Sequence, residues 1–122
     1  MASNIYRIQN NSHETVHVML LSTATQSYDL VIGPKKALTY KDVVSSNPPV
    51  PTPANADDFK QHRLRLRVGR KVHTLYRYQD VTRLTEGDTF ATDGNAIPGY
   101  TGAGNIGIVI AADSTISAER AP

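Results

Sequence analysis

The segment from Ser12 to Leu20 carries two histidines and a glutamate at the spacing of the H-E-x-x-H zinc-protease motif, namely His13, Glu14 and His17. In such enzymes both histidines lie on adjacent turns of one helix and bind zinc, while the glutamate acts as general base. Residues four apart are separated by roughly 6 Å along a helix axis but by roughly 13 Å along a strand. The motif can therefore hold zinc only if this segment is helical.

The residue types around the motif favour a strand. Thr15, Val16 and Val18 are β-branched, and in a strand the two valines share one face while His17 lies exposed on the other. No third zinc ligand follows in a recognisable pattern. We therefore predict a strand over Thr15 to Leu21, with no metal, no cofactor and no catalytic residue, and keep a zinc metallopeptidase only as a remote alternative.

A cluster of cations is the strongest chemical signal in the chain. Between residues 60 and 78 there is no acidic residue, whereas the rest of the chain has six Lys and Arg against eleven Asp and Glu, so the net charge of +2 conceals a polarised distribution. Arginine binds phosphate bidentately. The seven cations of this segment are Lys60, Arg63, Arg65, Arg67, Arg70, Lys71 and Arg77.

The same segment has the pattern of a β-hairpin. Arginine alternates with aliphatic residues from Arg63 to Val68, Gly69-Arg70 can turn the chain, and Val72 to Gln79 is rich in β-forming residues. We call residues 60–79 the basic hairpin and expect it to contact an anionic partner, with RNA or DNA favoured over an acidic glycan. The expected contact residues are Arg63, Arg65, Arg67, Arg70, Lys71 and Arg77, joined by His73, and by Tyr76 and Tyr78 if they face outward and stack on bases.

Two other interpretations of the basic hairpin remain open at this stage. Its cations can form a solvated face, or they can meet the acidic surface of a neighbouring subunit. A lectin-like carbohydrate-binding module is the alternative function, with a sugar-binding loop that uses Asp93, Asn95 and Tyr100. The chain has no Trp, but it has six Tyr residues whose amphipathic rings can partly substitute as stacking surfaces.

The glycine-rich stretch from Gly99 to Gly107 resembles a phosphate-binding loop only superficially. It lacks a Gly-Lys-Ser/Thr sequence and precedes a strand instead of joining a strand to a helix. We interpret it as a flexible surface loop. No nucleophile elbow is present, and the four histidines do not indicate a triad, so no enzyme activity is expected.

Short β-forming segments separated by turn residues predict an all-β fold. The expected architecture is a single-domain antiparallel β-sandwich of about seven short strands, immunoglobulin-like or jelly-roll-like, with a small barrel as the alternative. Besides the basic hairpin, two hairpins are expected. One would pair Ile5–Gln9 with Thr15–Leu21, and the other would pair Tyr28–Ile32 with Ala37–Val43. The last strand is placed over Asn105–Ala112.

Length and composition predict one domain over residues 1–122, with a Pro-rich crossing loop at 45–54. The chain has no Cys, no apolar leader and no run long enough to span a bilayer. A cytoplasmic location without membrane contact is therefore expected, either free or within a larger particle.

An apolar stretch indicates self-association. Residues 106–110, Ile-Gly-Ile-Val-Ile, carry no charge that would protect a sheet edge, so at an edge they would need a second subunit to cover them. The sequence thus predicts a non-catalytic, self-associating interaction or structural protein, coat-like or assembly-like. A basic hairpin directed inward would suit a coat, and one directed outward would suit a binding module.

Overall fold

Two β-sheets pack face to face in the computed structural model, which describes residues 3–23, 26–44 and 46–121. The strands are β1 Ser3–Asn10, β2 Val16–Thr23, β3 Gln26–Ile32, β4 Ala37–Thr39, β5 Arg63–Val68, β6 Lys71–Tyr78, β7 Val81–Glu86, β8 Gly104–Ile110 and β9 Ile116–Arg120. A 3-10 turn at Tyr40–Asp42 and a one-turn helix, α1, at Ala56–Phe59 complete the secondary structure of these ranges. Neither is long and apolar enough to cross a membrane.

The predicted all-β sandwich is confirmed, and the barrel alternative is not formed. Sheet A has the strand order β4-β1-β8-β9, and sheet B has the order β3-β2-β5-β6-β7. All neighbouring strands are antiparallel except β1 and β8, which run parallel. The described strands number nine instead of about seven, because β7 and β9 lack the plain alternation by which the others are recognised.

Two of the three predicted hairpins are wrong. Strand β1 lies in sheet A and β2 in sheet B, and the same separation divides β3 from β4. The turns at residues 11–15 and 33–36 therefore carry the chain between sheets instead of reversing it within one. The basic hairpin of β5 and β6 is confirmed, with Leu66 opposite His73 and Arg67 opposite Val72.

The core lies between the sheets and follows from the alternation of the strands. Val16 and Val18 of β2 are buried, as predicted, and so are Leu64 and Leu66 of β5. Sheet A supplies mainly isoleucines to the same layer: Ile5, Ile8, Ile106, Ile108, Ile110 and Ile116. Each such side chain stabilises the fold by about 1.5 to 3 kcal/mol relative to exposure. The residues that alternate with these along each strand therefore lie on the outer faces of the sheets.

The apolar stretch at residues 106–110 is not an exposed edge. It belongs to β8, which lies inside sheet A between β1 and β9. Gly107 leaves room on the outer face, where Arg7 Nη2 lies 3.5 Å from Glu119 Oε1. The chain therefore covers both sides of this strand itself, and no second subunit is needed to cover it.

Loop segments close most edges of the two sheets. Ile5 N donates to Pro48 O at 2.8 Å along the edge of β1, and Arg77 N donates to Pro51 O at 2.8 Å beside β6. The Pro-rich segment thus crosses from sheet A to sheet B. Residues 95–97 hydrogen-bond to β7, and residues 98–100 hydrogen-bond to β9.

The glycine-rich loop, which was expected to be a flexible surface loop, is tied to its surroundings by hydrogen bonds. Ser3 Oγ donates to Gly102 O at 2.6 Å, and Arg77 Nη1 donates to Thr101 O at 2.9 Å. Gly99 has a φ of 94°, and a Cβ there would lie 2.0 Å from Ala118 O. A side chain at this position would therefore break the contact that closes the edge of β9.

Asn10 joins the two sheets at one end of the sandwich. Its side chain is fully buried, and its Nδ2 lies 2.8 Å from Glu14 O, 3.2 Å from Ile32 O and 3.1 Å from Gly33 O. Its Oδ1 accepts from Ser12 N at 3.0 Å and from Ser12 Oγ at 2.6 Å. One amide thus satisfies polar groups of both turns that connect the sheets.

We predict that Asn10→Ala lowers the free energy of unfolding by about 3 kcal/mol, because several buried polar groups lose their partner. Urea denaturation followed by circular dichroism measures this change. The matched control is Asn11→Ala, whose exposed side chain accepts a hydrogen bond from Gln9 Nε2, and it should change stability by less than about 0.5 kcal/mol. Equal stability of Asn10→Ala and the wild type would contradict the role assigned to this amide.

Candidate anion-binding face

The outer face of sheet B, turned away from sheet A, is partly covered by aromatic side chains. Phe59, Tyr76 and Phe90 have ring centroids 5.4 Å from one another, and Tyr78 meets Phe90 edge-on at 5.4 Å. The Tyr76 hydroxyl donates to the carbonyl of Ala91 at 2.6 Å, and the side chain is 0% exposed. The expectation that Tyr76 stacks on bases is therefore wrong, and half-buried Tyr78 is engaged by Phe90.

The other part of this face, on β3, β2 and β5, is open to solvent. We call it the open face and define it by His17, Met19, Asp29, Val31, Arg65, Arg67 and Val72, which surround a shallow depression of about 370 Å³. Val31 on this face is a large hydrophobic side chain that is 62% exposed. The open face therefore combines cations with apolar surface.

One acidic residue binds two of the three arginines of β5. Arg63 Nε lies 3.4 Å from Asp88 Oδ1, and Arg65 Nη1 lies 3.4 Å from Asp88 Oδ2. Sequence reasoning missed Asp88, because it lies ten residues after the end of β6 and is brought back to β5 by the pairing of β6 with β7.

The hydrogen bonds of Arg63 explain why it faces away from the open part of the sheet. Arg63 Nη1 donates to Phe59 O at 3.3 Å and to Lys60 O at 2.7 Å, and its guanidinium lies 5.7 Å from the centre of the Phe59 ring. Arg63 is thus part of the covered region. Arg65 stays at the border, where its Nη2 lies 3.7 Å from Met19 Sδ.

The cations that remain available are Arg67 and Arg70. Both are exposed, and within the described residues neither has an acidic partner. Arg67 lies on the open face, and Arg70 lies in the turn that follows β5. Lys71 differs from them, because its Nζ lies 3.3 Å from Glu86 Oε1. It is also paired with buried Val68, so its side chain leaves β6 on the face that is turned towards sheet A.

The expectation that Arg77 and His73 extend the arginine face is wrong. His73 stands opposite buried Leu66, so it and Arg77 point to the face of sheet B that meets sheet A. Arg77 is only 6% exposed, and its Nη1 donates to Thr82 Oγ1 at 3.1 Å. The chain therefore uses Arg77 to tie loops together and not to contact a partner.

The H-E-x-x-H segment does not form the helix that a zinc site of this type needs. His13 lies in the turn before β2, and His17 lies on β2 with its side chain on the open face. The predicted strand and the exposed position of His17 are confirmed. Among the described residues, no group of three His, Asp or Glu side chains could hold a metal ion.

The residues of the expected sugar-binding loop are not brought together. Asn95 lines a cleft of about 460 Å³ at one end of the sandwich, beside His73, Asp113 and Thr115, whereas Asp93 and Tyr100 do not line it. Hydrogen bonds from Thr115 lower the pKa of Asp113 below its usual range. The Tyr100 hydroxyl donates to Ala103 O at 2.6 Å within its own loop.

Comparison with known proteins gives no relative for this chain. No protein-family model, curated protein or solved structure matches it. The chemistry of the open face is therefore inferred from its own residues.

The partial burial of His73 in this cleft predicts that the stability of the protein depends on pH. Burial, followed by the charge of Lys71, lowers the pKa of His73 from its ordinary value of 6.5, while Glu86 opposes that shift. As the pH falls below 6.5, the unfolded chain therefore takes up a proton more readily than the folded chain, and the free energy of unfolding decreases.

We expect His73→Gln to reduce this loss, because glutamine does not titrate. Urea unfolding at about pH 7.5 and about pH 5.5 measures the difference for each protein. His13→Gln, at an exposed histidine in a turn, is the matched control and should keep the wild-type difference. An unchanged difference in His73→Gln would refute the assignment.

Proposed function

We propose that this protein is a non-catalytic, self-associating binding or structural protein whose open face contacts the phosphate backbone of nucleic acid. The observation that carries the proposal is the position of Arg67 and Arg70. Both are exposed cations without an acidic partner in the described ranges, and they lie at a part of sheet B that no other described segment covers. Guanidinium groups in this setting bind phosphate bidentately.

The burial of the aromatic residues favours contact with the backbone over contact with bases. Tyr76 is fully buried, so its ring offers no face for stacking, and Tyr78 is half-buried and meets the Phe90 ring at right angles. Binding should therefore depend strongly on salt and weakly on nucleotide sequence.

Asp88 limits the affinity of the open face for phosphate. Its carboxylate lies 3.4 Å from both Arg63 and Arg65 and neutralises part of their charge. The side chain of Arg65 remains 39% exposed, so it can add to the contacts of Arg67, which lies two residues further along the same strand. The two side chains leave the strand roughly 6.6 Å apart on the same face.

We predict that Arg67→Gln combined with Arg70→Gln weakens the binding of a short labelled RNA by roughly tenfold. Loss of two phosphate contacts should also reduce the slope of log Kd against log salt concentration by about 1.5. Fluorescence anisotropy over a salt series measures both quantities.

The matched control removes the same charge elsewhere, with Lys41→Gln combined with Arg120→Gln. Both residues are exposed, and both lie outside sheet B. The control should keep the wild-type slope. If both double variants lose affinity equally, net charge and not the open face governs binding. If the protein bound a sulfated glycan more tightly than RNA, an acidic glycan and not nucleic acid would be the partner.

A second substitution should have the opposite effect. Asp88→Asn removes the carboxylate that Arg63 and Arg65 share, so we expect RNA to bind about threefold more tightly. The same anisotropy measurement tests this. Arg65 and Asp88 are 39% and 41% exposed, so their ion pair contributes less than about 1 kcal/mol, and the largely covered Arg63 keeps its hydrogen bonds to Phe59 O and Lys60 O. Urea denaturation should therefore find the fold intact. Unchanged or weaker binding by a folded variant would contradict the proposed role of these arginines.

A further inference from the structure

We infer that β3 pairs with β3 of a second copy of this chain in antiparallel register, so that the two copies form one continuous ten-stranded sheet. The inference deepens the self-association part of the proposed function by naming its surface. It rests on the backbone of β3, on the coverage of the other edges and on the placement of Asp29 and Val31.

The hydrogen-bond pattern leaves part of β3 without a neighbour. Gly69 N donates to Thr15 O at 3.2 Å, so the odd-numbered residues of β2 bond towards β5 and the even-numbered ones bond towards β3. Val18 is paired with Leu30 and Val16 with Ile32, so these residues of β3 bond to β2. The N–H and C=O groups of Asp29 and Val31 therefore point away from the sheet.

The remaining sheet edges differ from β3. Residues 95–97 bond to β7, residues 98–100 bond to β9, and residues 48–50 bond to β1. Strand β4 is an edge as well, but it has only three residues. Among the described strands, β3 is thus the one long edge that no other described segment covers, and such an edge is a template for another strand.

The side chains select a second copy and a particular register. Asp29 and Val31 project onto the open face, and Val31 is 62% exposed. If Asp29 faced its own counterpart, two carboxylates would repel across the two-fold axis. A register centred on Leu30 places Asp29 of each copy opposite Val31 of the other. It also satisfies the backbone groups of both residues and lengthens the apolar strip of the open face.

Charge also fits this arrangement. Within one copy, Asp29 on β3 is paired with Met19 on β2, which is paired in turn with Arg65 on β5. In the same way, Val31 is paired with His17, which is paired with Arg67. Pairing across Leu30 therefore places each Asp29 two strand spacings, roughly 10 Å, from Arg65 of its own copy and three, roughly 14 Å, from Arg67 of the other, so like charges are kept apart and neither arginine forms an ion pair with Asp29. Arg67 of one copy and Arg65 of the other would lie roughly 24 Å apart, five strand spacings along one surface.

Two charged substitutions at one position test the register. Val31→Asp would place a carboxylate opposite Asp29 of the other copy, twice in the dimer, and should raise the dimer dissociation constant by at least about tenfold. Val31→Lys would place an ammonium there and should leave the dimer as stable as the wild type or more stable. Combining Asp29→Lys with Val31→Asp should restore the dimer, because the opposite charges are exchanged. Light scattering coupled to size exclusion, over a dilution series, measures each dissociation constant.

Several results would overturn the inference. The pairing of β3 would be refuted if the wild-type protein were monomeric at every concentration. It would also be refuted if the protein formed an oligomer whose dissociation constant neither Val31 variant changed. Equal increases of the dimer dissociation constant in Val31→Asp and Val31→Lys would refute the register that places Asp29 opposite Val31. Circular dichroism of each variant confirms folding, which an exposed position should permit.

The RNA measurements keep this inference separate from the proposed function. The variant with Arg67→Gln and Arg70→Gln should form the same dimer as the wild type, because neither side chain lies on β3. A dimer that Val31→Asp dissociates but that binds no RNA would refute nucleic-acid binding and support the pairing of β3. A monomer that binds RNA would refute the pairing and support binding by the open face.

Discussion

The buried amide of Asn10 is the constraint on which the arrangement of the two sheets depends. It contacts carbonyl oxygens at both turns that carry the chain from one sheet to the other, and it also accepts from Ser12. A buried amide with these partners can be replaced only at a cost, because each lost partner leaves a desolvated polar group. The sheet order, and with it the separation of covered and open surfaces, follows from these two crossings.

The outer face of sheet B shows how one strand pattern can yield two surfaces. Arg63 and Arg67 belong to the same alternation on β5, but Arg63 is held by Asp88 and backbone carbonyls, whereas Arg67 is exposed without an acidic partner in the described ranges. The difference comes from α1 and the segment around Phe90, which cover only one end of the strand. The proposed contact with phosphate and the proposed pairing of β3 both use the end that they leave open.

The two proposals are linked by geometry but do not depend on each other energetically. Asp29 and Val31 lie at the edge of the same face that carries Arg65 and Arg67. Pairing of β3 would join two such faces into one surface with four arginines, and a longer nucleic acid could then contact both copies at once. Multivalent contact of this kind raises affinity without any new type of interaction.

The sequence by itself determined the all-β class, the strand at the H-E-x-x-H segment, the hairpin of β5 and β6 and the face on which Arg67 lies. These features depend on local alternation and turn residues, which act over a few positions. Tertiary structure alone decided that the turns after Asn10 and Ile32 change sheets, that Tyr76 and Arg77 are buried, and that Asp88 holds two arginines. Those outcomes depend on contacts between residues far apart in the chain, and alternation within a single strand carries no information about them.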